Sequence, residues 1–288
     1  MPRTRTRSPK PGLYQGVPMA EYLAMDAWSK SDVAAMLAGA EACHYKRTGG
    51  DDKQTEEATF GTLAHTALLE PAKWPPRDVV WVDGDWRSNP ARAEVADARQ
   101  RGYTVAKPDV RDRVEACIAR CLEHPEWRKL LLHSDLQREV VAIARCPQTG
   151  LLLKARADLL CPTLGIVGDL KTTSTGSDNE DFAKTSRKFH YWLGASHYLE
   201  VFRLASGLAY DLFMFLAVEQ EPPFFPRAFV PPERLVALGD RVNVHLRRKV
   251  AECIKAGTWP AANNRIESVD QPEWFYSAMA RMLEEQTA

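Results

Sequence analysis

The chain has 288 residues, 45% of them hydrophobic and 26% charged, a globular composition with enough length to bury a sizeable core. Its 38 basic and 38 acidic side chains cancel, so bulk charge does not advertise nucleic acid and any DNA contact has to be local. The sequence holds no apolar run of about 18 residues, which excludes a helical membrane span.

The opening MPRTRTRSPK has basic residues with no apolar stretch behind them, so it is not expected to be a secretory signal. Residues 1–10 read as a disordered basic tail, with Arg3, Arg5, Arg7 and Lys10 mainly solvated. Ser29 or Ser31 is a helix N-cap, with Val33, Met36 and Leu37 following at helical spacing. A polar loop at Gly49-Gly50-Asp51-Asp52 leads to a buried helix over Glu56 to Glu70, in which Phe60, Leu63, Ala64, Ala67 and Leu68 recur at three and four. His65 lies among them, and spacing alone makes it a packed or surface histidine. Gly61, one turn earlier, admits a close approach of other atoms.

Asp78 to Val82 reads as a strand, Asn89-Pro90 opens a helix, and Pro108 to Leu122 and Glu126 to Leu132 are further helices. The block from about 88 to 132 is expected to be a helical insertion without chemistry. The six cysteines include no C-x-x-C pair. That argues against zinc or iron–sulfur binding and for free thiols in a reducing cytoplasm. Cys117 and Cys121 share a helix face, which core packing explains.

Gln137 to Arg145 alternates as a first core strand, and its Glu139 is either a group at the rim of a site or an ordinary strand carboxylate. The stretch around which the chain is organised follows, Leu151 to Thr173. It reads as a strand to Cys161, a turn at Pro162-Thr163-Leu164-Gly165, and a second strand from Ile166. Alternation puts Lys154, Arg156 and Asp158 on one face, and Asp169 and Lys171 together on the next strand. Antiparallel pairing would gather Asp158, Asp169 and Lys171. Two acids and a lysine suit a divalent cation and a water, since Mg²⁺ takes hard oxygen ligands and keeps several waters. A salt-bridged sheet edge is the other reading of the same spacing.

Beyond the hairpin, Ser177 or Asp178 caps a helix through Lys188 whose Lys184, Arg187 and Lys188 either meet phosphate or face solvent. Phe189 to Leu204 is helical, Ala209 to Glu219 is a strand apolar enough to be central, and Pro231-Pro232 opens a helix to about Ala256. Pro272 to Glu285 is a last helix with Trp274, Phe275 and Met279 on one face.

Asp158, eleven residues, then Asp169-Leu170-Lys171-Thr172-Thr173 resembles the PD-(D/E)XK nuclease core. The fuller resemblance is to exodeoxyribonuclease VIII and its phage relatives, in the RecB/lambda-exonuclease-like branch. It is carried by Pro11-Gly12-Leu13-Tyr14 with Glu21-Tyr22, by Ser29-Lys30-Ser31, by FGTLAHTALLEP from Phe60, by Lys154 to Thr173 and by Tyr191 to Tyr198. The resemblance implies an α/β fold with a central mixed β-sheet flanked by helices, one exonuclease domain over 11–288 with helical elaborations. It implies that His65, Asp158, Asp169 and the Leu170 carbonyl hold Mg²⁺, with Mn²⁺ able to substitute, and that Lys171 orients or activates water beside Glu139. Arg156, Lys154, Ser31, Lys30, Tyr191 and Tyr198 become DNA contacts. It further implies a 5′ to 3′ exonuclease on double-stranded DNA ends, a trimeric or tetrameric ring, and a single-strand annealing partner of the RecT/Bet type in phage recombination. The family's Gln-x-x-x-Tyr is here Gly194-Ala195-Ser196-His197-Tyr198, so the usual glutamine contact is missing and Tyr191, His197 and Tyr198 are weaker stand-ins. An endonuclease, a Cas4-like end-trimming nuclease, or an inactive DNA-binding protein on the same core are the rival readings.

Overall fold

The structure, a computed structural model, describes residues 8–49, 56–174, 176, 178–261 and 268–285. Expectations for Arg3, Arg5, Arg7, for Gly50-Asp51-Asp52 and for Ser177 fall outside those residues. The strands are β1 (Gly12–Tyr14), β2 (Val79–Trp81), β3 (Thr104–Ala106), β4 (Gln137–Arg145), β5 (Leu152–Cys161), β6 (Ile166–Thr173), β7 (Leu212–Glu219) and β8 (Pro226–Phe229). The helices are α1 (Met19–Ala24), α2 (Lys30–Ala34), α3 (Ala40–Thr48), α4 (Glu56–Leu69), α5 (Asn89–Gln100), α6 (Pro108–Glu123) and α7 (Pro125–Leu131) in the first half. In the second half they are α8 (Asn179–Lys188), α9 (Tyr191–Ser206), α10 (Glu233–Ala256) and α11 (Glu273–Glu285).

Six strands form one sheet in the order β1-β4-β5-β6-β7-β8. All neighbours are antiparallel except β6 and β7, which run parallel because α8 and α9 carry the chain back between them. The expected mixed sheet with flanking helices is therefore present. The β5–β6 hairpin turns through a 3₁₀ segment at Pro162–Leu164 and Gly165 at φ 62, a left-handed position that glycine takes without a Cβ clash. Parallel β2 and β3 form a separate two-stranded sheet with α5 over it; β2 falls in the strand expected over Asp78 to Val82, whereas β3 lies inside the 88–132 block expected to be helical. Three-residue strands with few apolar positions gave β3 no period to read.

Helices cover both faces. One core joins α2, α9 and α10 to Val140, Ala142, Leu153, Ala155, Ala157 and Phe215. The other joins α4, α6 and α7 to Leu159, Cys161, Ile166, Leu170 and Val218. The change of allegiance within β5, from Ala157 in the first core to Leu159 in the second, means that the alternation shifts phase at Asp158. Across the ladder from Asp158, between the pairs Arg138↔Leu159 and Val140↔Ala157, stands Glu139 at φ 55. A non-glycine residue at left-handed φ in mid-strand is costly and clusters at functional sites.

Ser29, not Ser31, caps α2: its hydroxyl accepts from the Asp32 amide and Asp32 Oδ2 accepts from the Ser29 amide in return. Asp178 caps α8, its Oδ1 accepting from the Asp181 amide at 2.8 Å. Among the described residues no helix is long and apolar enough to cross a membrane.

Candidate active site

Four elements supply the site. The hairpin presents Asp158 from β5 and Asp169, Leu170 and Lys171 from β6, Glu139 reaches in from β4, and His65 comes from α4. The helix lies close because Gly61 faces β6: a Cβ there would sit 3.0 Å from Thr172 Oγ1. The close approach that glycine permits is thus made by the protein's own strand. A cleft of about 1060 Å³ opens over His65, Glu139, Arg156, Asp158, Leu170 and Lys171.

Asp158 is buried, and its Oδ2 accepts a 2.7 Å hydrogen bond from the Leu170 amide. Burial, then the neighbouring Asp169 charge, pushes its carboxyl up to about 7. Glu139 is raised as well, by burial and by Asp158, although it pairs with Arg156. His65 Nε2 lies 3.0 Å from the Leu170 carbonyl oxygen, which can only accept, so Nε2 carries the proton and Nδ1 turns its lone pair toward Asp158 Oδ2 at 3.7 Å. Burial, then Lys171, lowers the imidazole's pKa and keeps it neutral.

Lys171 forms an ion pair with Asp169, donates to the Leu170 carbonyl at 3.3 Å, and sits 5.3 Å over the Tyr191 ring. Burial works against its charge, but Asp169 and Asp158 outweigh that and hold the ammonium above its ordinary pKa. It is a fixed cation, suited to steadying developing negative charge and not to accepting a proton.

One donor atom from each of His65, Glu139 and Asp158 lies within 4.8 Å of the others. This is an imidazole nitrogen and two oxygens, and both carboxyls are raised by crowding and burial that a cation would relieve. The set fits a hard divalent metal, held by those three residues beside the Leu170 carbonyl. Such an ion supplies Lewis-acid polarisation of a phosphoryl oxygen and a more acidic bound water.

Asp169 stands outside that three-residue cluster: its carboxylate pairs with Lys171, and it lines an adjoining cavity of about 270 Å³ with Lys30, Ser31, Tyr191 and Tyr198. One expectation is corrected here. Lys154 does not reach the cleft. It is buried, and its ammonium donates to the Tyr22 and Met25 carbonyls at 2.8 and 3.0 Å, closing off the end of α1. It shares a strand face with Arg156, but α1 covers that face at Lys154.

Lys30 Nζ donates to the Phe189 carbonyl at 2.8 Å, and burial, then Lys171, lowers its pKa to about 8. Its stem crosses Gly194, where a Cβ would meet Lys30 Cε at 3.5 Å. A glutamine at 194 would compete for that space. His197 is fully buried, its Nε2–H donating to the Lys154 carbonyl at 3.0 Å while Nδ1 accepts from Arg247 at 2.9 Å. It is not a stand-in for the site contact. Sequence reasoning gave Phe189 only a place at the start of the helix to Leu204; it stands instead between α8 and α9, half exposed at the cleft rim.

An acid–acid–lysine hairpin in a helix-flanked mixed sheet, with an imidazole brought in by an early helix, defines a PD-(D/E)XK-like domain. The chain belongs to the family described as PDDEXK-like domain of unknown function (DUF3799), whose model matches residues 28–272. No curated protein matches the sequence. Among solved structures it is similar to a protein from Eubacterium rectale described as "Putative exonuclease", at 14% identity and TM-score 0.56, covering 88% of this chain and 93% of that one. A second, SSO0001, is also 14% identical, over 66% of this chain and 86% of that one, but at a TM-score of 0.29 it carries no argument.

Proposed function

We propose that the protein is a Mg²⁺-dependent deoxyribonuclease that digests double-stranded DNA from its ends, 5′ to 3′, with Mn²⁺ able to substitute. The observation that carries the hydrolytic reading is the juxtaposition of His65, Glu139 and Asp158 with the Lys171–Asp169 pair at the floor of one open cleft. His65 Nδ1 and the two carboxylates bind the cation. Lys171, oriented by Asp169, directs the attacking water and neutralises charge as the phosphodiester oxygen leaves. Arg156, on the cleft wall beside Glu139, meets the scissile phosphate. Lys30, Ser31, Tyr191 and Tyr198 receive the strand on the Asp169 side.

The exonucleolytic mode, its direction, the ring-shaped oligomer, the annealing partner and the role in phage-type recombination rest on the resemblance to exodeoxyribonuclease VIII. The description of the Eubacterium rectale neighbour supports the exonucleolytic part. The test is digestion of duplexes labelled at one or the other end, alongside a closed circular plasmid, with Mg²⁺ or EDTA. Release of 5′ label with Mg²⁺ and an intact circle is expected. Loss of the circle would replace the exonuclease reading with an endonuclease one.

A further inference from the structure

A separate cavity, of about 600 Å³, lies outside the catalytic cleft, between the β2–β3 sheet and the start of α4. Its wall carries Trp86, Arg87, Arg99, Tyr103 and Lys107, with Thr59 of α4 on the near side. Of the neighbouring cations, Arg101, Arg111 and Arg120 pair with Asp97, Glu115 and Glu123. Arg87, Arg99 and Lys107 have no carboxylate partner among the described residues. Asp85, the acid of the cavity, takes the Arg87 amide on its Oδ1 at 2.9 Å, which closes a turn and leaves the guanidinium out. Lys107 Nζ lies 5.9 Å over the Trp86 ring, and Trp86 is held in place by its Nε1–H on the Val82 carbonyl at 3.0 Å. Arg101 lies over one face of Tyr103 at 5.1 Å, as Lys107 lies over Trp86, which leaves each ring its other face. Three cations without carboxylate partners and two rings around one concavity match what a single nucleic-acid strand offers, phosphates and π-faces.

The cavity connects to the catalytic site through a rigid element. Thr59 and His65 are on the same helix, six residues apart, which is about 9 Å of rise along its axis. We infer that the Trp86–Arg87–Arg99–Lys107 cavity is a binding site for a single strand of DNA close to the point of cleavage, a reading that rests on the proposed nuclease function for the identity of its ligand.

The test is fluorescence anisotropy of a labelled oligo-dT with the full chain in EDTA, repeated over a salt series, and separately the Mg²⁺ digestion of a short duplex. The combined substitution Arg87→Gln, Arg99→Gln and Lys107→Gln is expected to weaken oligo-dT binding about tenfold or more. It should also flatten the plot of log K against log[salt] by about 2, from three phosphate contacts at roughly 0.7 each. Trp86→Ala is expected to weaken binding about fivefold, and Trp86→Phe to restore it by keeping a stacking face. Arg248→Gln with Lys249→Gln, on exposed positions of α10, is the charge control and leaves binding and slope unchanged. An unaltered affinity and salt slope in the triple variant, or an equal loss in the control, would overturn the site. Failure of the duplex to be digested while oligo-dT binding follows the pattern above would count against the nuclease reading and leave the cavity standing.

Discussion

Glu139 faces Asp158 directly across the β4–β5 ladder, and only Glu139 leaves the extended region to do so, at φ 55. The pairs on either side keep register, so the disturbance is confined to this one cross-strand position, where the alternation of β5 also shifts phase. That residue places a carboxylate where regular pleating would not, next to Asp158 and His65. Left-handed backbone costs a non-glycine residue roughly 1–2 kcal/mol. Glu139→Gly and Glu139→Ala both remove the Arg156 partner, so their difference isolates that cost. Urea denaturation should find the glycine variant more stable than the alanine variant by about 1 kcal/mol, while both lose about 100-fold or more in cleavage. Equal midpoints would mean that the backbone stores no strain there.

Lys171 acts in this account as a permanently charged group held by Asp169. Lys171→Ala is expected to lower the digestion rate by about 10²–10⁴-fold, while leaving Asp169 without its ion-pair partner costs on the order of 1–3 kcal/mol of stability in urea denaturation. Lys171→Arg should not restore it, because a planar guanidinium cannot occupy the compact position of an ammonium. Near-normal digestion by the alanine variant would remove lysine from the mechanism.

Lys154 belongs to stability and not to DNA. Lys154→Met keeps the stem but strips the donor from the buried Tyr22 and Met25 carbonyls. The expected loss is on the order of 3 kcal/mol, with binding of duplex DNA per folded molecule unchanged. Weakened DNA binding in a variant of undiminished stability would return Lys154 to the contact surface.

His197 makes acid the stability hazard. Burial, then Arg247, lowers its pKa from 6.5 to about 3, so the unfolded chain takes up a proton that the folded one refuses. Its contribution is full above 6.5 and is lost as pH falls from 6.5 toward 3. The loss down to about pH 4.5 is on the order of 2 kcal/mol. In His197→Gln, an amide that donates to the Lys154 carbonyl and accepts from Arg247 has nothing to titrate. Comparing the two proteins' stabilities over that range should show a flatter acid limb for the variant. Parallel curves would mean that His197 does not titrate on unfolding.

The hairpin, the His65 helix and the buried β7 were legible because each has a strong period or a turn with obligatory chemistry, as at Gly165. Period two also put Lys154, Arg156 and Asp158 on one face. What it could not show was that α1 roofs that face at Lys154, a matter of tertiary cover and not of strand pattern. Glu139 was left open because a single left-handed residue has no sequence signal when it is not glycine or asparagine. The separation of Asp169 from the His65–Glu139–Asp158 cluster depends on which neighbour wins its carboxylate, and Lys171, two residues along the same strand, does.

The central claim is that the cluster at the cleft floor hydrolyses DNA with a bound cation. The most direct measurement is digestion of a linear duplex by the wild-type chain with Mg²⁺, with EDTA, and by Asp158→Asn with Mg²⁺. The account predicts loss of duplex in the first case only. Digestion that persists in EDTA or in the Asp158→Asn variant, or an intact duplex with Mg²⁺, would contradict it.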